Sequence, residues 1–95
     1  MASEIVTERY KLIFFVPPQH LADVKKAVFA TGAGTVGNYT EVCFTTPGVG
    51  QFRPGPDANP ILGEKGRVEE VGEVKCEISC IGRGIVSKAV EAVKK

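Results

Sequence analysis

The first regular pattern along the chain is an apolar run, Tyr10-Lys11-Leu12-Ile13-Phe14-Phe15-Val16. Tyr10, Leu12, Phe14 and Val16 share one parity, Ile13 and Phe15 the other. A strand apolar on both faces is covered on both faces, so the run predicts a central strand. Pro17-Pro18 ends it and suits the first turn of a helix. Leu21, Val24, Ala27 and Val28 then recur at helical spacing, with Lys25 and Lys26 facing water, and Gly32 is a natural stop. The spacing predicts a helix over about 18–31.

Gly32-Ala33-Gly34-Thr35-Val36-Gly37-Asn38 reads as a tight connector. A second strand is expected from about Tyr39 to Thr46, with Val42 and Phe44 on one face and Cys43 and Thr45 on the other. Residues 47–66 are rich in glycine and proline and read as a long loop, which Phe52, Ile61 and Leu62 could pin to the body. In a third strand, about Val68 to Cys80, Val74, Cys76, Ile78 and Cys80 alternate with Glu73, Lys75, Glu77 and Ser79. Val71 breaks that parity beside Gly72, which predicts a bulge. A last helix, about Ile85 to Lys94, carries Val86, Ala89, Val90 and Val93 on one face. Residues 1–8 are polar and expected to be loose.

The order β-α-β-β-α in 95 residues predicts one α+β domain over 1–95. It is a ferredoxin-like split βαβ sandwich with an antiparallel sheet, lacking its fourth strand. Helices would cover one sheet face. The other would hold either Ile13 and Phe15 or Leu12 and Phe14, with nothing in the chain to cover it. Such a face predicts an oligomer built through the sheet, a dimer, trimer or higher.

Composition narrows the function. Lys plus Arg number 12 and Asp plus Glu 11, a net charge of +1, which argues against bulk-charge binding to nucleic acid or anionic membrane. A hydrophobic fraction of 43% with 24% charged residues is that of a folded chain. No apolar run approaches the roughly 20 residues of a membrane span, and Met1-Ala2-Ser3-Glu4 lacks the order of a signal peptide. The cysteine count of 3 is odd, which excludes a complete disulfide framework. Reduced thiols and a cytoplasmic location are the expectation.

Three stretches carry a resemblance: Tyr10-Lys11-Leu12-Ile13-Phe14-Phe15-Val16-Pro17, Gly32-Ala33-Gly34-Thr35-Val36-Gly37-Asn38-Tyr39, and Gly50-Gln51-Phe52-Arg53-Pro54 with Ala58-Asn59-Pro60 and Gly63. Val68-Glu69 and Val71-Gly72-Glu73-Val74 continue it. Over residues 10 to 94 the chain resembles the YqfO-type domain, the PII-like and CutA-like module inserted in proteins of the NGG-one-interacting-factor-three family and found also in free-standing form. The resemblance implies a ferredoxin-like fold and assembly through sheets. The family's two-metal site belongs to another domain with His, Asp and Glu ligands, so no metal-dependent hydrolase role is implied here, and no cofactor. The family continues past the second helix through a His-Pro-Tyr-Glu-Glu segment to a last strand, and these residues are not among the 95. The missing strand is either absent or supplied by another segment or a partner.

Candidate chemistry is sparse. Gly32, Gly34 and Gly37 satisfy G-x-G-x-x-G, but the motif follows a helix and opens a strand, the reverse of a dinucleotide site. A helix cap plus a turn with positive φ is the favoured reading, with a backbone-amide nest for an anion at Gly34, Gly37 and Asn38 as the other. In the long loop Gln51, Phe52, Arg53 and Asn59 sit between prolines and glycines, with Lys65 and Arg67 at its exit. Arg suits a bidentate grip on carboxylate or phosphate, and by resemblance this loop holds the place of the ligand-responsive loop of PII-like proteins. The plain alternative is packing of Phe52 and the prolines, with Arg53 in a structural salt bridge. Cys76 and Cys80 lie four apart on a strand, about 13 Å, too far to share a metal, though Cys43 could approach one of them. Buried structural thiols are favoured. His20, the sole histidine, reads as a surface residue, with a metal ligand between subunits as the alternative. No nucleophile–base pair is visible, and Glu73 and Glu77 fall on a solvated face, so an enzyme has little support. The sequence reading is a small non-enzymatic oligomeric module that binds a small anionic metabolite or regulates a partner. The alternatives are an interaction module without ligand and, more weakly, a CutA-like metal-binding protein.

Overall fold

The computed structural model describes residues 8–60 and 63–94. Strand β1 spans Arg9–Val16, a single 3-10 turn spans Pro18–His20, and helix α1 spans Leu21–Phe29. Strands β2 and β3 span Phe44–Phe52 and Glu69–Ile81, and helix α2 spans Arg83–Val93. The three strands form one antiparallel sheet in the order β1-β3-β2. The expected central place of β1 is therefore wrong: β3 is central and β1 is an edge. Its double-sided apolar pattern does not report two covered faces.

The alternation in β3 organises the core. Val74, Cys76, Ile78 and Cys80 turn to the helix side, opposite Val16, Phe14, Leu12 and Tyr10 of β1. Phe14, Val28, Ala33, Cys76, Ile78, Cys80 and Ala89 pack there, with Leu21, Val24, Ile85, Val86 and Val93 against them. Two expected inward positions lie outside instead. Ala27 and Val90 are exposed, and on α2 Ile85 and Ala92 join the expected Val86, Ala89 and Val93 on the apolar face. Lys25 is half-buried rather than fully in water.

β2 begins at Phe44, later than expected, and runs through Pro47, Gly48, Gly50 and Phe52. The first six residues of the expected loop, 47–52, are thus strand. Proline is tolerated because β2 is an edge strand, where a missing N–H can face solvent. The register stays one-to-one from Phe44↔Glu77 through Val49↔Gly72 to Phe52↔Glu69, so the expected bulge at Gly72 is absent. Val71 shares the parity of Glu73 and Glu77 and lies on the open sheet face, which accounts for the apparent phase slip.

β1 ends at the Val16↔Val74 pair, whereas β2 and β3 continue to Phe52↔Glu69. The last part of that hairpin is a two-stranded ribbon projecting about 17 Å past β1. It makes the molecule long, 63 × 24 × 19 Å, with a radius of gyration of 17.1 Å against about 12 Å for a compact chain of this length. The ribbon leads into the connection 53–68, where Gly66 N–H donates to the Pro54 carbonyl at 2.7 Å and Ala58 N–H to Gly55 at 3.1 Å. Residues 1–7, together with Ile61 and Leu62 as possible loop pins, lie outside the described residues. Among the described residues no helix is long and apolar enough to cross a membrane.

Candidate functional site

The glycine-rich connector resolves as a cap and a turn. Gly32 ends α1 with φ +96° and donates to the Phe29 carbonyl at 3.0 Å. Val36 and Tyr39 exchange two hydrogen bonds of 2.9 Å around Gly37 and Asn38, and Gly37 has φ +58°, as a two-residue hairpin with glycine first requires. Gly34 (φ +80°) donates to the Ser79 carbonyl at 2.8 Å and accepts from Val42 at 2.9 Å. The connector is thereby stitched to the edge of β3 where β2 has not begun. The Gly34 amide is already used, so among these three residues only the Gly37 and Asn38 amides at the hairpin tip remain for an anion.

The loop candidates gather elsewhere. Gln51 and Phe52 close the ribbon opposite Glu70 and Glu69, Arg53 follows them, and Gln51, Arg53 and Asn59 are exposed while Phe52 is half-buried. Among the described residues the ion pairs are Lys11–Glu77 at 3.4 Å and Arg67–Glu64 at 3.7 Å, and Arg53 belongs to neither. Gly34 is bound at Ser79 and Phe52 is paired at Glu69, ten positions apart on β3. That separates the two groups of candidates by roughly 33 Å. Within one protomer they cannot share a small ligand.

The thiols are inner parts of the sheet. Cys76 and Cys80 are fully buried on the helix side, and Cys43 is half-buried beside them. Burial pushes the Cys76 thiol up to about 11, helped by the neighbouring Cys43 thiol. Burial also raises Cys80, whose Sγ–H faces the Ile78 carbonyl at 3.8 Å. A neutral buried thiol is a poor nucleophile and a poor metal ligand. His20 is exposed in the 3-10 turn. Among the described residues no three His, Cys, Asp or Glu side chains cluster as metal ligands would.

The open sheet face is built differently. Ile13, Phe15 and Phe44 stand on it 46%, 61% and 66% exposed, on the two edge strands. Between them runs the charged row Glu73, Lys75 and Glu77 of β3, all half-buried. Cross-strand neighbours form the rows Ile13–Glu77–Phe44 and Phe15–Lys75–Thr46. Of the two sets that the sequence left open, Ile13 and Phe15 are the outward pair. The row of Phe15, Lys75 and Thr46 borders a recess of about 240 Å³ whose far wall is Pro47 to Gly50 and Glu73. A separate cleft of about 670 Å³ lies on the outer side of α1, against the connector. Sequence reasoning missed that cleft, because its helix side is a second stripe, Ala22, Lys25, Lys26, Phe29 and Ala30, beside the core stripe of Leu21, Val24 and Val28.

No protein-family model matches the chain. The protein named GTP cyclohydrolase 1 type 2 homolog from Listeria innocua is 47% identical over 79 residues, 81% of this chain and 21% of that protein. Its namesake from Halalkalibacterium halodurans is 40% identical over 86 residues, 90% of this chain and 23% of that protein. A crystal structure of a Bacillus cereus protein related to NIF3 superposes with a TM-score of 0.79 at 33% identity, over 97% of this chain and 23% of that one. The chain spans about a fifth of the length of the curated relatives it matches.

Proposed function

As the chain is an NIF3-like family domain, we propose that it works as a ferredoxin-like, PII/CutA-like module that assembles through its open sheet face and binds a small anionic ligand without catalysing a reaction. The carrying observation is the pair of exposed aromatic edges, Phe15 and Phe44, flanking Glu73, Lys75 and Glu77. Large apolar side chains left exposed together on one sheet face, here on either side of a charged row, favour an association surface. The charged row is self-complementary. A two-fold partner offset by one pair sets Lys75 of one copy against Glu77 of the other, and both ion pairs form together. The strand order β1-β3-β2 and the single helical layer support the ferredoxin-like reading, in which one further strand would add to the free edge of β1. The projecting ribbon adds weight, since an isolated two-stranded hairpin is marginal in water and gains from a neighbour.

In this reading the ligand sits where the loop of one copy approaches a neighbour, held by Gln51, Phe52, Arg53 and Asn59, with the amides of Gly37 and Asn38 donated by another copy; Gly34, whose amide is bonded to Ser79, shapes the turn but does not hold the ligand. The cytoplasm is the compartment that suits its thiols. A second reading is favoured by the roughly 33 Å between the two residue groups: a purely structural interaction module whose loop packs on a neighbour. Native mass spectrometry of the protein from its own cells separates them. A ligand module shows an oligomer with added mass from a small anion, and Arg53→Ala loses the adduct while keeping the subunit count. An interaction module shows no adduct, and Arg53→Ala lowers the subunit count.

A further inference from the structure

The cleft on the outer side of α1 belongs to neither the sheet face nor the long loop. Its volume, about 670 Å³, lies in the range of small-molecule sites. Lys25 and Lys26 stand on its helix wall, next to the ring of Phe29, and Ala30 and Ala33 give it a smooth apolar floor. The opposite wall is the small hairpin of the connector. Thr35 and Thr40 flank the isolated Val36–Tyr39 bridge in sequence, and both are exposed and line the cleft. Glu41 completes the rim and is the sole non-glycine residue with positive φ among the described residues, at +56°. For a residue other than glycine that conformation is uncommon and costs energy, so the surrounding structure holds it.

We propose that this cleft binds a small organic anion with a flat ring. Lys25 and Lys26 diverge by about 100° around the helix, but both line the cleft, and their long stems let two compact ammonium charges converge on one phosphate or carboxylate. The Phe29 ring and the alanine floor suit a flat apolar body, and the Thr35 and Thr40 hydroxyls supply donors and acceptors in the lining. Glu41 at the same rim repels a second anionic group and accepts an N–H or O–H, which selects a ligand charged at one end only. Inorganic phosphate would leave most of the cleft empty. The site is complete within one protomer and does not rest on the loop reading above.

The test is an amide NMR titration of the full chain with phenyl phosphate, a ring joined to one anionic group. The expected result is saturable shifts at residues 25–30 and 35–41, with inorganic phosphate binding more weakly. Lys26→Glu weakens phenyl phosphate by about tenfold or more, and because Lys26 is exposed the rest of its spectrum stays unchanged. Arg53→Ala keeps the shifts at residues 25–30. Shifts at residues 47–60 and 37–38 but none at 25–30, with loss of binding in Arg53→Ala, would overturn the cleft and leave the loop reading standing. Equal affinity of Lys26→Glu, or no saturable shift anywhere, also overturns it, and equal affinity for inorganic phosphate overturns the ring.

Discussion

The ring of Phe29 packs against Gly34, so that a Cβ at position 34 would come within 2.7 Å of the ring Cε1 and 2.9 Å of the Val42 carbonyl oxygen. Gly34 also has φ +80°. Two independent costs therefore fall on Gly34→Ala, a left-handed backbone and an overpacked contact with backbone on one side. Together they come to about 2–3 kcal/mol. Gly50 makes an instructive contrast. A Cβ there would meet only the carboxylate end of Glu73, a diagonal neighbour on the open face, and its φ is not in the left-handed region. Glu73 can swing into water, so Gly50→Ala is expected to cost less than about 1 kcal/mol. Urea denaturation of the two variants measures the difference.

Phe15 and Ile78 stand on opposite sides of the same sheet and predict opposite outcomes. Phe15 is largely exposed, so Phe15→Glu should change the folding stability of a single subunit by no more than about 1 kcal/mol. Its effect belongs to assembly. Beside Lys75 it stays soluble, yet it breaks the apolar edge that a second copy would cover. Sedimentation velocity should show a lower subunit count. An unchanged count in a folded variant would remove the sheet face as the association surface.

Ile78 is fully buried at the centre of β3, opposite Leu12 and among the helices. Ile78→Ala removes apolar area and leaves a cavity that a small core cannot easily close. The expected loss is about 2–5 kcal/mol, a large part of what a domain of this size commands. A fall in the denaturation midpoint with an unchanged slope is the expected signature.

The alternation of Val74, Cys76, Ile78 and Cys80 located β3 and its buried face correctly, because period-2 burial is a direct physical consequence of a pleated strand. The same rule misplaced β1. Ile13 and Phe15 are apolar, yet they face outward on an edge strand, and an apolar pattern alone does not tell an exposed face from a covered one. Pro47, Gly48 and Gly50 hid the second half of β2, since local propensity speaks against a strand and only the edge position makes it tolerable. The cap and turn at Gly32 and Gly37 were legible from positive-φ chemistry alone. The cleft beside α1 was not. Lys25 and Lys26 look like an ordinary solvated face until the connector folds back over them, a contact fixed by the Gly34–Ser79 hydrogen bond between distant parts of the chain.

Cys76 links this packing to pH. Its thiol is pushed up from the ordinary value of 9.0 to about 11, first by burial and then by the Cys43 thiol beside it, with Lys25 acting the other way and Glu77 adding to the rise. The folded state therefore keeps its proton where the unfolded chain has lost it. Between pH 9 and 11 the unfolded state binds fewer protons than the folded one, so stability falls as pH rises through that window. Below pH 9 both states are protonated and this contribution is constant. The melting temperature of the parent should decline from pH 9 to 11, and Cys76→Val, which keeps a similar apolar volume without a titrating group, should decline less. Equal slopes in the two proteins would show that the buried thiol does not govern the alkaline limit. Under the same logic, iodoacetamide at pH 8 should modify half-buried Cys43 well before Cys76, and reaction at Cys76 should track global unfolding.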